Sequence, residues 1–470
     1  MKIKHQDLEI PQDNPFSNCK LDRKQYAMIL TDIVNTYADG FVLAINNEWG
    51  TGKTTFVKMW QQHLNNENFQ TIYFNAWEND FDSNPLVAIM SELKTLTKNG
   101  DKAFKSVIEK GAVIAKNVLP ALLKGVAQKY IDTEILTDAI ENITKGAAEI
   151  LEEEIKEYAN KKETITEFKK ELEKFIKQST NDKPLVFIID ELDRCRPTYA
   201  VEVLEQMKHF FSVHGIVFVL SIDKNHLASA VRGFYGSEQI NTDEYLRRFI
   251  DLEYSIPQPS ETIFSKYLFD YYLFNDFFTS AERGKYREFQ SDADMFLETA
   301  NLLFNKSKAT LRQQEKMFSQ TRLVLKSFKS NQYVFSHLLI FLIYIKTIKS
   351  ELYEKIKSNA ITLQELSDEF SNSISSEINT YKISLIYVEA LLLHFYNNNR
   401  EHQNREKLFE NDTEGNLVSV IKSKLENDED KKDLPGCLSE VAKNHTYYDA
   451  NLKLLLNKID LTDPMYLIRQ

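Results

Sequence analysis

Between Ile45 and Phe56 the chain reads INNEWGTGKTTF, and residues of these types at this spacing can hold a phosphate. In a loop of the form G-x-x-x-x-G-K-[ST], backbone N–H groups of a tight turn and of the following helix converge on an anion that the helix dipole also favours. Here Asn47 occupies the opening position; Glu48, Trp49, Gly50, Thr51 and Gly52 follow, and Lys53, Thr54 and Thr55 close the motif. Gly50 and Gly52 let the backbone wrap an anion with no Cβ in the way. Lys53 supplies a point charge for β- and γ-phosphates, and the Thr54 hydroxyl can ligate Mg2+. Asn is among the non-glycine residues that best tolerate positive φ, which is how Asn47 is expected to replace the glycine.

A second pattern complements the first. The apolar run LVFIID ends in Asp190, with Glu191 directly after it. A carboxylate where a buried strand meets solvent can hold Mg2+ through water, and the longer Glu191 can take a proton from an attacking water. A solvated strand end or a helix cap would use the same residues. Lesser candidates are Ser221 and Asp223 at the end of FVLSID, placed to read a γ-phosphate, and Asn75 with Trp77, which either position the nucleotide face or form a buried Trp with an Asn cap. Asp193 is a candidate helix cap, and Arg194 and Arg196 are candidate surface ion pairs.

The elements that must hold these groups are readable from pattern. In LDRKQYAMILTDIVNTYADG, Tyr26, Ile29, Leu30, Ile33 and Val34 recur at helical spacing, and FVLAI follows as a short continuous strand. TTFVKMWQQHL reads as a helix, so strand, loop and helix occur in the order a phosphate loop requires. FQTIYFNAW, PLVFIID and GIVFVLSID supply further strands, alternating with helical stretches such as that of Val203, Leu204, Met207 and Phe210. Continuous apolar strands alternating with helices predict an α/β fold with a mainly parallel sheet. Residues from about 99 to 180 are helical and charge-rich, an insertion expected to project from the sheet. The division expected is an N-terminal arm over 1–20, a core over 21–260, and a helical lid and all-α C-terminal domain over 261–470.

Composition narrows the classes. The formal net charge is −11, which disfavours coating of a polyanion by the whole molecule. One local exception is the stripe 306–329, where Lys and Arg dominate; it is either a solvated helix face or a surface for nucleic acid or an acidic partner. Cys19, Cys195 and Cys437 are far apart with no metal-type spacing and read as free thiols of a reducing cytosol. No secretory leader is apparent, and GAVIAKNVLPALLKGVA and HLLIFLIYI are too charged or too short for a span of ~20 residues. A cytoplasmic protein is expected.

Together, Gly50–Thr54 with its preceding Trp49, Phe74–Trp77 and Asp190–Arg194 resemble the motifs of the KAP family of phosphate-loop NTPases, a branch of the STAND and AAA+-like ATPases. YLRRFIDLEYSIPQP is similar to the segment closing that core, and TLRQQEK to a lid motif, so the resemblance spans roughly 20–330. Asn47 stands where most members have Gly, and Glu191 where many have Asp. Many members carry transmembrane helices where this chain has its charged insertion. The resemblance implies ATP and Mg2+ as ligands, hydrolysis, Arg312 as a lid sensor, and a homo-oligomeric switch or motor. It implies Arg247 and Arg248 as fingers reaching a neighbouring subunit's γ-phosphate, although local pairing with Asp243, Glu244 or Asp251 would also account for them. It further implies bacterial anti-phage defence with partner effector proteins. An ATP-binding scaffold and a P-loop kinase are the alternatives. No N-K-x-D pattern ends a strand, which favours adenine over guanine.

Overall fold

Valine, isoleucine, leucine and phenylalanine in unbroken runs stiffen the chain into strands that are stable only when both faces are covered. Such runs become β1 (Val42–Asn46), β3 (Leu185–Asp190) and β4 (Ile216–Ile222), while β2 (Thr71–Asn75), read as a run of the same kind, is buried at alternate residues only. All of β3 and β4 is buried. The computed structural model describes residues 8–81, 84–97, 102–117, 145–180, 183–209, 212–374, 385–425, 433–445 and 451–461. These fall into two compact units, one within 7–258 and the other within 259–470.

In the first unit a fifth strand, β5 (Leu252–Tyr254), joins the sheet, whose order is β2-β3-β4-β1-β5. All its pairings are parallel. The sheet is thus of the α/β kind expected. No apolar run announced β5, whose first two residues are exposed; its pairing with Leu43–Ile45 makes it a strand.

Successive side chains of each strand face opposite ways. On one face Leu43, Ile45, Val186, Ile188, Val217 and Val219 pack beneath α1 (Lys24–Thr36) and α2 (Lys53–Asn66). On the other, Ala44, Phe74, Phe187, Ile189 and Leu220 meet α3 (Pro85–Leu93), α4 (Lys102–Asn117), α5 (Lys145–Ser179), α6 (Pro197–His209) and α7 (Lys224–Tyr235). In α2, Lys53, Phe56, Val57, Trp60 and Leu64 form the buried stripe of a 3.6-residue period. Burial of each large apolar side chain there contributes roughly 2–3 kcal/mol, which anchors the helix that starts at the loop. In α1 the buried face is Ala27, Leu30 and Val34; Ile29, assigned to it from spacing, is exposed.

Two expectations change in detail. The segment read as a polar arm is seated on α2, with Phe16 buried against Phe56 and His63. The insertion is rooted in the core, because Phe168, Leu172, Phe175 and Ile176 of α5 are buried in it; within the insertion Lys110 of α4 pairs with Glu167 at 2.6 Å.

Among the described residues the second unit, expected to be all-α, is helical but for a short antiparallel pair, Phe409–Asn411 with Leu417–Ser419. HLLIFLIYI lies in the helix Ser336–Ile348, buried throughout from Ser336 to Ile345. At 13 residues it rises about 20 Å, short of a ~30 Å hydrocarbon layer. Among the described residues no helix is long and apolar enough to cross a membrane. Most of GAVIAKNVLPALLKGVA lies outside the described residues, as does Phe210.

Candidate functional site

The loop 47–52 leaves the C-terminal end of β1 and enters α2, whose N-cap is Gly52 in the left-handed region. Gly50 and Gly52, at φ 81° and 80°, adopt a backbone that a side chain would strain. Asn47 does not follow the expectation of positive φ, since it is absent from the non-glycine residues of that kind. Its amide works instead as a piece of strand: the side-chain NH2 donates to Ile256 O and its oxygen accepts from Ile256 N, both at 2.9 Å. Asn47 N donates to Ile222 O at 3.2 Å, prolonging the β1–β4 ladder. Asparagine is tolerated at the glycine position because it bridges, and glycine could not.

Lys53 is 8% exposed, and its ammonium donates to Asn47 O and, at 3.1 Å, to Glu48 O. Burial lowers its pKa, while Asp193, Asp223 and Asp190 pull it upward. A buried ammonium satisfied by loop carbonyls and faced by carboxylates is a cation ready to exchange those carbonyls for an anion. Thr51 Oγ1 donates to Glu48 O at 2.8 Å; Thr54 and Thr55 are half-buried, and Glu48 is exposed. Beneath the loop lies a residue that pattern reading missed. Arg23, 2% exposed, donates to Thr51 O at 2.8 Å and Gly52 O at 3.2 Å. Its sequence signal, a basic residue at the opening of an amphipathic helix, is too common to single out.

The order β3-β4-β1 sets one strand between the loop and the acidic pair, so Asp190 lies two inter-strand spacings, about 10 Å, from β1. Asp190 is 1% exposed; Oδ2 accepts from the Tyr73 hydroxyl at 2.8 Å and Oδ1 from Glu191 N at 3.0 Å. Burial and the adjacent Asp190 raise the Tyr73 pKa, so Tyr73 remains a donor that aims the carboxylate. Glu191 is left-handed, at φ 61°, a conformation costing an L-residue roughly 1–2 kcal/mol. Its Oε1 lies 2.6 Å from Arg194 Nη1, and Oε2 accepts from Asn75 at 3.3 Å. Asn75 also caps the turn after β2 by accepting from Trp77 N and Glu78 N, the capping role considered for it. Trp77 is 53% exposed, contrary to the buried alternative.

Asp193 is no helix cap: buried in the turn Leu192–Arg194, it accepts the indole N–H of Trp49, and burial raises its pKa against that bond. Trp49 also stacks on His226 at 3.7 Å and 6°. Asp223 caps α7, accepting from Asn225 N and His226 N. Ser221, in register with Asp190 and Ile45, is fully buried with no hydrogen-bond partner for Oγ among the described residues. Arg196 grips Asp80 through its backbone N and its guanidinium, a surface ion pair as expected.

Arg247 and Arg248 are not at this site. Asp251 exchanges backbone and side-chain bonds with Val42, which puts the arginines at the N-terminal end of β1, a strand length or about 15 Å from the loop. Both are exposed, and Arg247 is 3.7 Å from Glu244, one of the local partners considered. Arg312 belongs to the second unit, exposed at the start of the helix Leu311–Leu325. Lys306, Lys308, Lys316, Lys326 and Lys329 of the basic stripe are exposed also, whereas Arg322 is half-buried and donates to Tyr272 O.

The residues suit a magnesium–nucleoside triphosphate complex. Lys53 and the glycine-lined loop fit phosphate, and Thr54 with Asp190 offers two hard oxygens, the number Mg2+ takes from protein when phosphates complete its shell. Among the described residues no group of three or more metal-ligating side chains forms an all-protein cage.

Comparison with known proteins bears on the whole arrangement. The model of the KAP family P-loop domain matches residues 23–323. Curated proteins give no match. Among solved structures, the Aeropyrum pernix ORC2 protein in ADPNP–ADP complexes is similar at 14% identity over 79% of this chain and 75% of that one, with a TM-score of 0.33. Drosophila ORC bound to DNA is similar at 12% identity over 83% and 76%, with a TM-score of 0.32.

Proposed function

This chain belongs to the KAP family of P-loop NTPases, and from that premise we propose that it binds and hydrolyses ATP as an oligomeric switch or motor. The observation that carries the reading is the buried Lys53 ammonium, held by loop carbonyls and faced by Asp190, Asp193 and Asp223. In the proposed mechanism Lys53 and the N–H groups of the loop and of the first turn of α2 bind the triphosphate. Thr54 and Asp190 would hold Mg2+, which would supply positive charge to the triphosphate. Tyr73 keeps Asp190 oriented, and Glu191 accepts the proton of the attacking water. Arg247 and Arg248 act on the site of a neighbouring copy, and Arg312 reads phosphate from the helical lid. The setting proposed from family membership is bacterial anti-phage defence, with partner proteins from the same gene cluster carrying the effector activity.

Two variants test the site. Lys53→Ala is expected to abolish ATP binding by calorimetry while the chain stays folded; undiminished affinity would sink the assignment. Glu191→Gln is expected to keep binding but lower phosphate release by about 10²–10⁴-fold. Release at the parental rate would move the base elsewhere or leave ATP as a structural ligand.

A further inference from the structure

The groups between the phosphate loop and Glu191 form one chain of contacts. Trp49, near the apex of the loop, is 38% exposed, stacks on His226 and donates its indole N–H to buried Asp193. The next residue, Arg194, lies over the Trp49 ring at 5.8 Å and the Trp77 ring at 5.5 Å and pairs with Glu191 at 2.6 Å. Core packing does not explain this placement, because both tryptophans are substantially exposed.

A carboxylate whose Oε1 takes a charge-assisted bond from a guanidinium, and whose Oε2 accepts from Asn75, is turned away from the work of receiving a water proton. At the other end of the chain, Lys53 is bound to Asn47 O and Glu48 O, the two carbonyls immediately before Trp49. Phosphate that draws the ammonium away frees those carbonyls, and the loop can then re-form around Trp49.

We infer that Arg194 is a positioning residue that latches Glu191 in the resting site, and that Trp49 ties this latch to the state of the phosphate loop, so that the base is released when a nucleoside triphosphate re-forms the loop. The inference rests on the ATP-site reading above and adds to it how that site is held idle. Asp193 transmits the loop's movement to the turn that carries Arg194, and His226 is the platform Trp49 leaves.

The test uses the full chain, with ATP affinity measured by calorimetry and turnover by phosphate release. Arg194→Ala is expected to bind ATP within a few-fold of the parent and to turn over roughly tenfold faster. Arg194→Lys, which keeps the charge but not the planar fork, should fall between. Trp49→Phe keeps the stack and loses the N–H bond; it should also raise turnover, and adding it to Arg194→Ala should raise turnover no further. In the unaltered chain labelled with 5-fluorotryptophan, the resonance missing from Trp49→Phe should shift with a non-hydrolysable ATP analogue and not with ADP. Turnover of Arg194→Ala at or below the parental rate with ATP bound normally overturns the latch. Additive effects of the two substitutions, or a Trp49 resonance unmoved by bound analogue, overturn the link to the loop. If the unaltered chain binds no ATP, the site reading itself fails.

Discussion

Burying a guanidinium is costly unless its donors are used, and Arg23 directs two of them at the backbone of the phosphate loop. Burial lowers its pKa without approaching neutrality for an arginine, so a fixed positive charge sits beneath the loop that must bind an anion. Arg23→Gln removes that charge and the fork that holds Thr51 O and Gly52 O. ATP affinity should weaken by about ten- to a hundredfold, the range for hydrogen bonds to a charged group, and Arg23→Lys should recover only part of it. Calorimetry on the two variants checks this, and unchanged affinity in both would mean the loop is held without Arg23. At this scale Lys53 and Asp190 were readable because their chemistry is stereotyped and set by immediate neighbours in the chain. Arg23 and Tyr73 were not, since their partners lie 28 and 117 residues away.

A loop is only as well placed as the strand it leaves, and β1 is gripped on both sides, by β4 through its backbone and by the chain after β5 through the Asn47 side chain. Restoring the motif with Asn47→Gly therefore removes two hydrogen bonds at the element junction. The variant should be less stable by about 1–3 kcal/mol, at roughly 0.5–1.5 kcal/mol per bond, although it looks more regular as a sequence. Urea unfolding measures it; equal or greater stability would mean the bridge contributes nothing. Three strands were legible as continuous apolar runs, β2 from its Ile, Tyr and Phe, and α2 as a helix from its stripe. The fifth strand was not, because LEY carries no apolar alternation and becomes a strand through its neighbour.

At the scale of the molecule, Arg247 and Arg248 lie about a strand length from their own loop, which leaves a neighbouring copy as the site they could serve. Under the oligomer proposed, a chain carrying Arg247→Ala and Arg248→Ala and a chain carrying Lys53→Ala should each be inactive. Co-assembled mixtures should regain part of the ATPase activity, because some interfaces then join an intact loop to intact arginines. Normal hydrolysis by the double variant, or no recovery on mixing, would remove the trans-acting arginines. The sequence by itself determined the α/β core, the phosphate loop before α2 and the acidic pair ending a buried strand, since each follows from local periodicity and from residue types adjacent in the chain. Only the tertiary structure decided how Asn47 replaces a glycine, that Tyr73 aims Asp190, and that Trp49 lies on His226 and Asp193. Those contacts join side chains from different strands and turns, and the parallel sheet's register, which no single segment encodes, brings them together.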